Sequence, residues 1–269
     1  MKCGEIMKIK VSVLASGSSG NSIFISGGKN RILIDAGLSG KEIERRLSKI
    51  GENADDLDAI LVTHEHSDHI HGIGVLSRRY DLPIYANELT WQGAEKRIGK
   101  IKENNCRVFS EGFMIGDMGI SPFCISHDAS DPVGYIVNCA DKRIGQATDM
   151  GCISPEVVSC LKDLDFLIIE SNHDLEMLMN GSYPWPLKQR INGEKGHLSN
   201  DDTADLLPRI IGSNFPRILL AHLSKDNNIP ALAYITVKNN LEEKGFKIGE
   251  DLCLDYTYRE KPTELFEVG

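Results

Sequence analysis

Short strand-like runs separated by glycine-rich turns open the chain: Lys8 to Leu14, Ser22 to Ser26 and Arg31 to Ile34. The period then changes. Ser39 and Glu42 have the spacing of a capping box, and Ile43, Leu47 and Ile50 follow at helical intervals. Ala59 to Val62 reads as a buried strand running straight into His64, a second helix starts near His69, and Pro83 to Tyr85 has the make-up of a short strand. The second half repeats the style. Strands are predicted over Gly119 to Ser126, Gly134 to Cys139, Arg143 to Gln146, Phe166 to Ile169 and Arg217 to Ala221; helices over Ser154 to Leu161, Ser199 to Ile211 and Pro230 to Lys244. Pro230 suits a first helical position, where no backbone donor is needed. Pro208 falls inside a helical pattern and predicts a kink or an early stop. Mixed strands and helices, with no repeat or linker between halves, predict one α/β domain over residues 1–269. Its sheets would pack face to face with helices outside.

Composition narrows this picture only a little. An apolar fraction of 41% permits a full core without crosslinks. The net charge of −9 argues against a broad basic surface that grips nucleic acid by charge alone, though a local patch or metal pair can still receive phosphates. Seven cysteines, scattered from Cys3 to Cys253 with no CxxC pair, indicate reduced thiols in a cytoplasmic protein rather than a disulfide framework or zinc ribbon. The charged, glycine-interrupted start predicts no signal peptide, and no apolar run predicts a membrane span. Oligomeric state leaves no trace in the pattern.

The chemistry concentrates in Thr63-His64-Glu65-His66-Ser67-Asp68-His69, directly after an apolar strand. In an extended segment His64 and His66 point the same way and can reach one metal; once the chain turns helical, Asp68 and His69 are redirected toward a second. Imidazoles and a carboxylate suit zinc, manganese or iron rather than calcium or magnesium. His71, two residues beyond His69, faces away. Further ligands should sit at strand ends, and His127, Asp149 and His222 each follow a predicted strand.

In this order the residues resemble the metallo-β-lactamase superfamily, whose HxHxDH signature is matched by His64, His66, Asp68 and His69. Its later elements are matched by His127, the Thr148-Asp149 pair and His222. Ile34-Asp35-Ala36-Gly37 is similar to the family's early strand-ending aspartate, which braces the histidine loop. The resemblance implies an αβ/βα four-layer sandwich and two divalent metal ions, Zn²⁺ or Mn²⁺, that activate a water. It further implies His64, His66 and His127 on one ion, Asp68, His69 and His222 on the other, and Asp149 bridging. Five further segments, beginning at Ser16, His127, Glu170, Gly196 and Leu220, are together similar to the WalJ (YycJ) family, which is associated with 5′-to-3′ DNA exonuclease activity. That likeness runs from about Lys8 to Tyr258. Glu170 and His197 also resemble the glutamate and histidine of the RNase Z group. There the pair helps stabilise and protonate the leaving group, which implies Glu170 and His197 as catalytic residues, with helix capping the plainer role for His197. Asp68 of the HxHxDH signature is the third catalytic candidate.

Other residues admit two roles. The segment Ser16 to Ser22, with Ser18, Ser19 and Asn21, serves either as a tight hairpin or as a cradle for a phosphate. His173 stands between a site role and a structural one. Tyr183 and Trp185 can stack on bases, and Lys188 and Arg190 can hold backbone phosphates, unless this stretch is only a packed loop bent by prolines. Arg45, Arg46, Arg78 and Arg79 read as solvated helix charges. The preferred function is a two-metal phosphodiester hydrolase with DNA as substrate. The acidic charge, and the lack of the inserted arm used by RNA-processing relatives, leave open small or cyclic phosphodiesters or RNA. A non-catalytic metal-binding regulator is the third reading, against which no expected ligand is replaced.

Overall fold

The computed structural model describes residues 8–212, 214 and 216–268; residues 1–7, including Cys3, lie outside them. The strands in chain order are β1 (Ile9–Ala15), β2 (Ser22–Gly27), β3 (Asn30–Ile34), β4 (Ala59–Leu61), β5 (Ile84–Ala86), β6 (Cys106–Val108) and β7 (Phe113–Ile115). There follow β8 (Met118–Cys124), β9 (Val133–Cys139), β10 (Lys142–Ala147), β11 (Phe166–Glu170), β12 (Arg217–Ala221), β13 (Cys253–Tyr256) and β14 (Phe266–Val268). The helices are α1 (Gly40–Lys49), α2 (Ser67–Ile70), α3 (Ile73–Tyr80), α4 (Glu88–Ile98) and α5 (Pro155–Cys160), then α6 (Leu175–Asn180), α7 (Trp185–Ile191), α8 (Asn200–Ile210) and α9 (Pro230–Glu243).

The strands form two sheets, in the orders β14-β1-β2-β3-β4-β5-β6 and β13-β12-β11-β10-β9-β8-β7. Each has an antiparallel half and a parallel half. The parallel runs are β3 to β6 in the first sheet and β10 to β13 in the second. The inner parallel strands β4, β11 and β12 are buried on both faces and read as near-continuous apolar runs, whereas β6 at the sheet edge is largely exposed. Ile32, Ile34, Ala59 and Leu61 join Phe166, Ile168, Leu219 and Ala221 in the core between the sheets. Their neighbours Leu33 and Ile60 face outward under Ile43, Leu47, Ile73 and Leu76 of α1 and α3. Leu167, Ile169, Ile218 and Leu220 do the same under α5, α8 and α9. The result is the expected αβ/βα sandwich.

Several local expectations need correction. Ser39 does cap α1, accepting from the Glu42 amide, but the Glu42 carboxylate does not return the bond, because Arg45 and Arg46 donate to it instead. Arg46 is buried rather than solvated, and its guanidinium donates to the Leu14 and Arg259 carbonyls at 2.7 and 2.9 Å. Arg78 is exposed, as expected, and also donates to the Ile98 carbonyl. Pro208 does not stop α8, which continues to Ile210. The stretch around Trp185 is a helix, not a loop. The sequence pattern also missed α4, the six-residue α6, the four-residue β13 and the three-residue strands β6, β7 and β14. Segments that short carry no period to detect, and α4 holds a glycine in its middle.

Candidate metal centre

Parallel strands end at one edge of their sheet, and the two sheets bring those edges together. Asp35 directly follows β3, Thr63 and His64 follow β4, Asp149 lies two residues past β10, Glu170 closes β11 and His222 follows β12. Asp35, Asp149 and His222 turn left-handed at φ of 60°, 62° and 53°, a conformation that costs an L-residue about 1–2 kcal/mol. The turn swings each side chain out of the strand direction toward a shared point. His66 is still extended, and α2 begins at Ser67, so the switch expected within the histidine loop occurs there. Gly37 lets this loop settle, since a Cβ there would meet the Asp68 carbonyl oxygen at 1.6 Å.

The structure brings the separated residues together. Ligand atoms of His64, His66 and His127 lie within 4.8 Å of one another, and so do those of Asp68, His69 and His222. Asp149 sits between the groups: its carboxylate is 3.4 Å from His69 Nε2, 3.5 Å from His222 Nε2 and 3.9 Å from His127 Nε2. Of the five histidines in the two groups, four have Nδ1 engaged by oxygen. The partners are Thr63 Oγ1 for His64 (3.0 Å), Asp35 for His69 (2.7 Å), the Gly196 carbonyl for His127 (3.1 Å) and Glu170 for His222 (2.8 Å). Tying Nδ1–H in this way fixes the tautomer and reserves Nε2 as a lone-pair donor. His66 differs, presenting Nδ1 at 3.1 Å from His64 Nε2. His71 is exposed.

Electrostatics agree with a cation site. Burial, with His69 alongside, pushes His64 well below its ordinary value, leaving the neutral imidazole that a metal needs. Burial also lowers His127. For Asp149 burial acts upward but is outweighed by His222, His69 and His64, so the carboxylate stays ionised. His69 is raised well above its ordinary value despite its burial, because Asp35 and Asp149 face it. The same negative potential attracts a divalent ion. Two buried atoms at the centre, Asp149 Oδ2 and His222 Nε2, have no hydrogen-bond partner. An unsatisfied buried polar atom costs about 1–3 kcal/mol, which a cation between them would remove. The donor set therefore fits divalent metal.

Glu170 is a brace within this set. Its Oε1 accepts from Nδ1 of both His222 and His197 at 2.8 Å, and its Oε2 accepts from the Met150 and Leu198 amides. Burial alone would raise it, yet His197 and His222 hold it down to about 2. His197 is in turn carried up to about 9 against its burial, with Glu170 the main cause and Asp149 and Asp128 adding to it.

A cleft of about 280 Å³ opens over the centre, lined by His66, Asp68, His127, Asp149, His197 and His222. Of the other expected residues, Ser18, Tyr183 and Arg190 line it too. Tyr183 donates to Asp226 at 2.7 Å, and Arg190 pairs with Asp128 at 2.5 Å. The structure places the remaining expected residues outside the cleft lining. Ser19 is exposed outside the lining. Asn21 is buried and holds the histidine loop through its backbone amide, which donates to the Asp68 carbonyl at 2.7 Å, and its side-chain amide, 3.4 Å from the Asp68 carboxylate. His173 is fully buried, with Nε2 at Asn192 Oδ1. Lys188 is buried and donates to the Met179 carbonyl, because on α7 it falls on the opposite side from Arg190. Trp185 is exposed on α7 and does not line the cleft. Asp128, Asn172, Lys195 and Ser224 line the cleft and were missed. Each adjoins a recognised motif, and that adjacency is the signal that could have found them.

Comparison with known proteins agrees with this geometry. Residues 30–222 match the Beta-lactamase superfamily domain. Exodeoxyribonuclease WalJ of Streptococcus pneumoniae serotype 2 is 45% identical over 263 residues, 96% of this chain and 98% of that protein. Exodeoxyribonuclease YycJ of Bacillus anthracis is 43% identical over 261 residues, 96% of this chain and 99% of its own. Among solved structures, the metallo-beta-lactamase fold protein YhfI of Bacillus subtilis superposes with a TM-score of 0.70 at 16% identity, over 97% of this chain and 100% of that one.

Proposed function

The chain belongs to the beta-lactamase superfamily and, within it, to the family of the WalJ and YycJ exodeoxyribonucleases, and from that membership we propose a phosphodiesterase that degrades DNA from a 5′ end. It is a metal-dependent hydrolase. The observation that carries the proposal is the convergence of His127, Asp149 and His222 on the His64 to His69 loop, with His197 lining the same cleft.

We assign a pair of Zn²⁺ or Mn²⁺ ions as the cofactor. His64, His66 and His127 would hold one ion, Asp68, His69 and His222 the other, with Asp149 shared. When bound, such ions supply Lewis acidity toward phosphodiester oxygens and lower the pKa of a water. His197 supplies the proton for the departing oxygen from Nε2, since Nδ1 is committed to Glu170. Glu170 orients that ring and the His222 ring through one oxygen atom. Asp68 lines the cleft beside His69 and belongs to both the metal set and the catalytic set. Ser18, Tyr183 and Arg190 offer hydroxyl and cationic contacts to phosphate, and Trp185 offers an exposed stacking face. Scattered cysteines with no CxxC pair suit a reducing cytoplasm.

The test incubates purified, metal-loaded protein with end-labelled 5′-phosphorylated single- and double-stranded DNA across Mn²⁺, Zn²⁺ and Mg²⁺, beside bis-p-nitrophenyl phosphate. Progressive loss from the 5′ end is expected, and intact DNA under every condition would refute the proposal. The net charge of −9 favours a second reading, a small or cyclic phosphodiester or RNA as substrate. Fast turnover of the small ester with untouched DNA would select it.

A further inference from the structure

Glu65 lies between two assigned ligands, yet its side chain belongs to neither metal group. The chain bends at Glu65, and its side chain leaves the two imidazoles for another partner. It meets the loop that follows His127. Glu65 Oε1 accepts from the Ser130 amide at 2.9 Å and from the Ser130 hydroxyl at 2.6 Å. Helix α4 backs the contact. A Cβ on its Gly93 would meet Glu65 Cγ at 2.6 Å, and its Arg97 donates to the Glu65 carbonyl at 3.1 Å. Two further bonds tie the same loop down: the Val133 amide to the Thr63 carbonyl at 3.1 Å, and the Asn87 side chain to the Asp131 carbonyl at 2.7 Å. Those two bonds lie at the far end of the loop. Of these three ties Ser130 is the one nearest His127, and both of its contacts converge on one carboxylate oxygen. His127 and its two neighbours are held in addition by the Gly196 carbonyl, by Arg190 on Asp128 and by the Ser126 hydroxyl on the Glu194 carbonyl.

We propose that Glu65 is a positioning residue for the three-histidine metal group: by gripping Ser130 it fixes His127 against His64 and His66, and so sets the affinity of that ion. The inference rests on the assignment of His64, His66 and His127 to one metal. Its physical basis is preorganisation, because three imidazoles from two separate loops bind a cation tightly only if the loops are already in register. A carboxylate oxygen is a strong acceptor for two donors at once, and glutamine keeps an acceptor oxygen in the same place.

The experiment titrates Zn²⁺ into metal-free protein against a competing chelator, with bound zinc counted by mass spectrometry. It compares wild type, E65A, E65Q, S130A, H127A and the E65A/H127A double variant. Thermal unfolding of each metal-free protein is recorded alongside. E65A should weaken one zinc by about 10–100-fold while sparing the second. S130A, which removes only the hydroxyl contact and leaves the Glu65 stem packed, should weaken the same zinc by about three- to tenfold. E65Q should stay near wild type, and the double variant should be no weaker than H127A alone. Wild-type affinity in E65A, equal weakening of both zincs, or an E65Q protein as weak as E65A would each overturn the inference. Wild type that binds no zinc would refute the metal assignment itself, and the inference with it. If E65A does not fold, S130A decides the matter.

Discussion

Asp35, Asp149 and His222 share a left-handed backbone that L-residues avoid, and each carries a buried side chain into the same few ångströms. Such strain persists only where surrounding structure over-determines it, and here the surroundings are two packed sheets. Among these residues the divisions of labour are distinct. His66 and Asp149 face the cleft, so H66A and D149N should abolish hydrolysis in end-labelled DNA and small-ester assays, with far-UV circular dichroism and cooperative unfolding retained. Turnover in either variant would contradict the ligand assignment. Asp35 touches no cleft surface and acts through its neighbours: it accepts from the Thr63 amide at 2.9 Å, the Thr63 hydroxyl at 2.8 Å and His69 Nδ1 at 2.7 Å. D35N should therefore lower metal affinity by about 10–100-fold, measured by chelator competition. The dipeptide signals at these positions were visible in the sequence, whereas the φ values that aim them were not. Buried Asn21 and Lys188 illustrate the reverse: residue types suited to phosphate binding, diverted to hold backbone and ligands.

At the level of elements, the caps and charges of the helices follow local chemistry closely, with a difference at α1. Glu42 lies in the first turn but is drawn to Arg45 and Arg46, and the Arg45 bond is the main reason its pKa falls from the ordinary 4.5 to about 2, against a smaller upward push from burial. A carboxyl whose folded pKa is depressed contributes stability above its unfolded value and loses it as pH falls through the folded one. E42Q should then be less stable than wild type by about 1 kcal/mol or less near neutral pH. In denaturant titrations the gap should close between pH 4.5 and about 2. A gap that persists at the acid end would mean packing, not charge, is responsible. Elsewhere, periodicity located α1, α8, α9 and the doubly buried strands well, though not α4. It failed for β6, β7 and β14, which hold three residues each and gain their shape from the neighbouring strand. It failed also for α7, whose Leu187, Arg190 and Ile191 share the cleft side while Lys188 turns inward.

For the molecule as a whole, stability and chemistry occupy different ends of the same strands. Phe166 starts β11 in the core between the sheets, and Glu170 ends it beneath the metal group. F166A should cost about 3–5 kcal/mol in chemical denaturation. At a temperature where the variant is folded, its zinc stoichiometry should equal that of wild type; loss of zinc there would show that the core and the site are not separable. The sequence by itself determined the order of strands and helices in the main core, the histidine–aspartate loop, and the chemical types at the later strand ends. These are local properties, written in hydrophobic period and residue chemistry within a few positions of each other. Only the tertiary structure decided which side chains meet. Glu170 joining His222 to His197, Glu65 reaching Ser130 and Arg190 resting on Asp128 span from 27 to 65 residues of chain. Such contacts depend on how two sheets pack and where left-handed turns point, and neither is encoded in any short window of sequence.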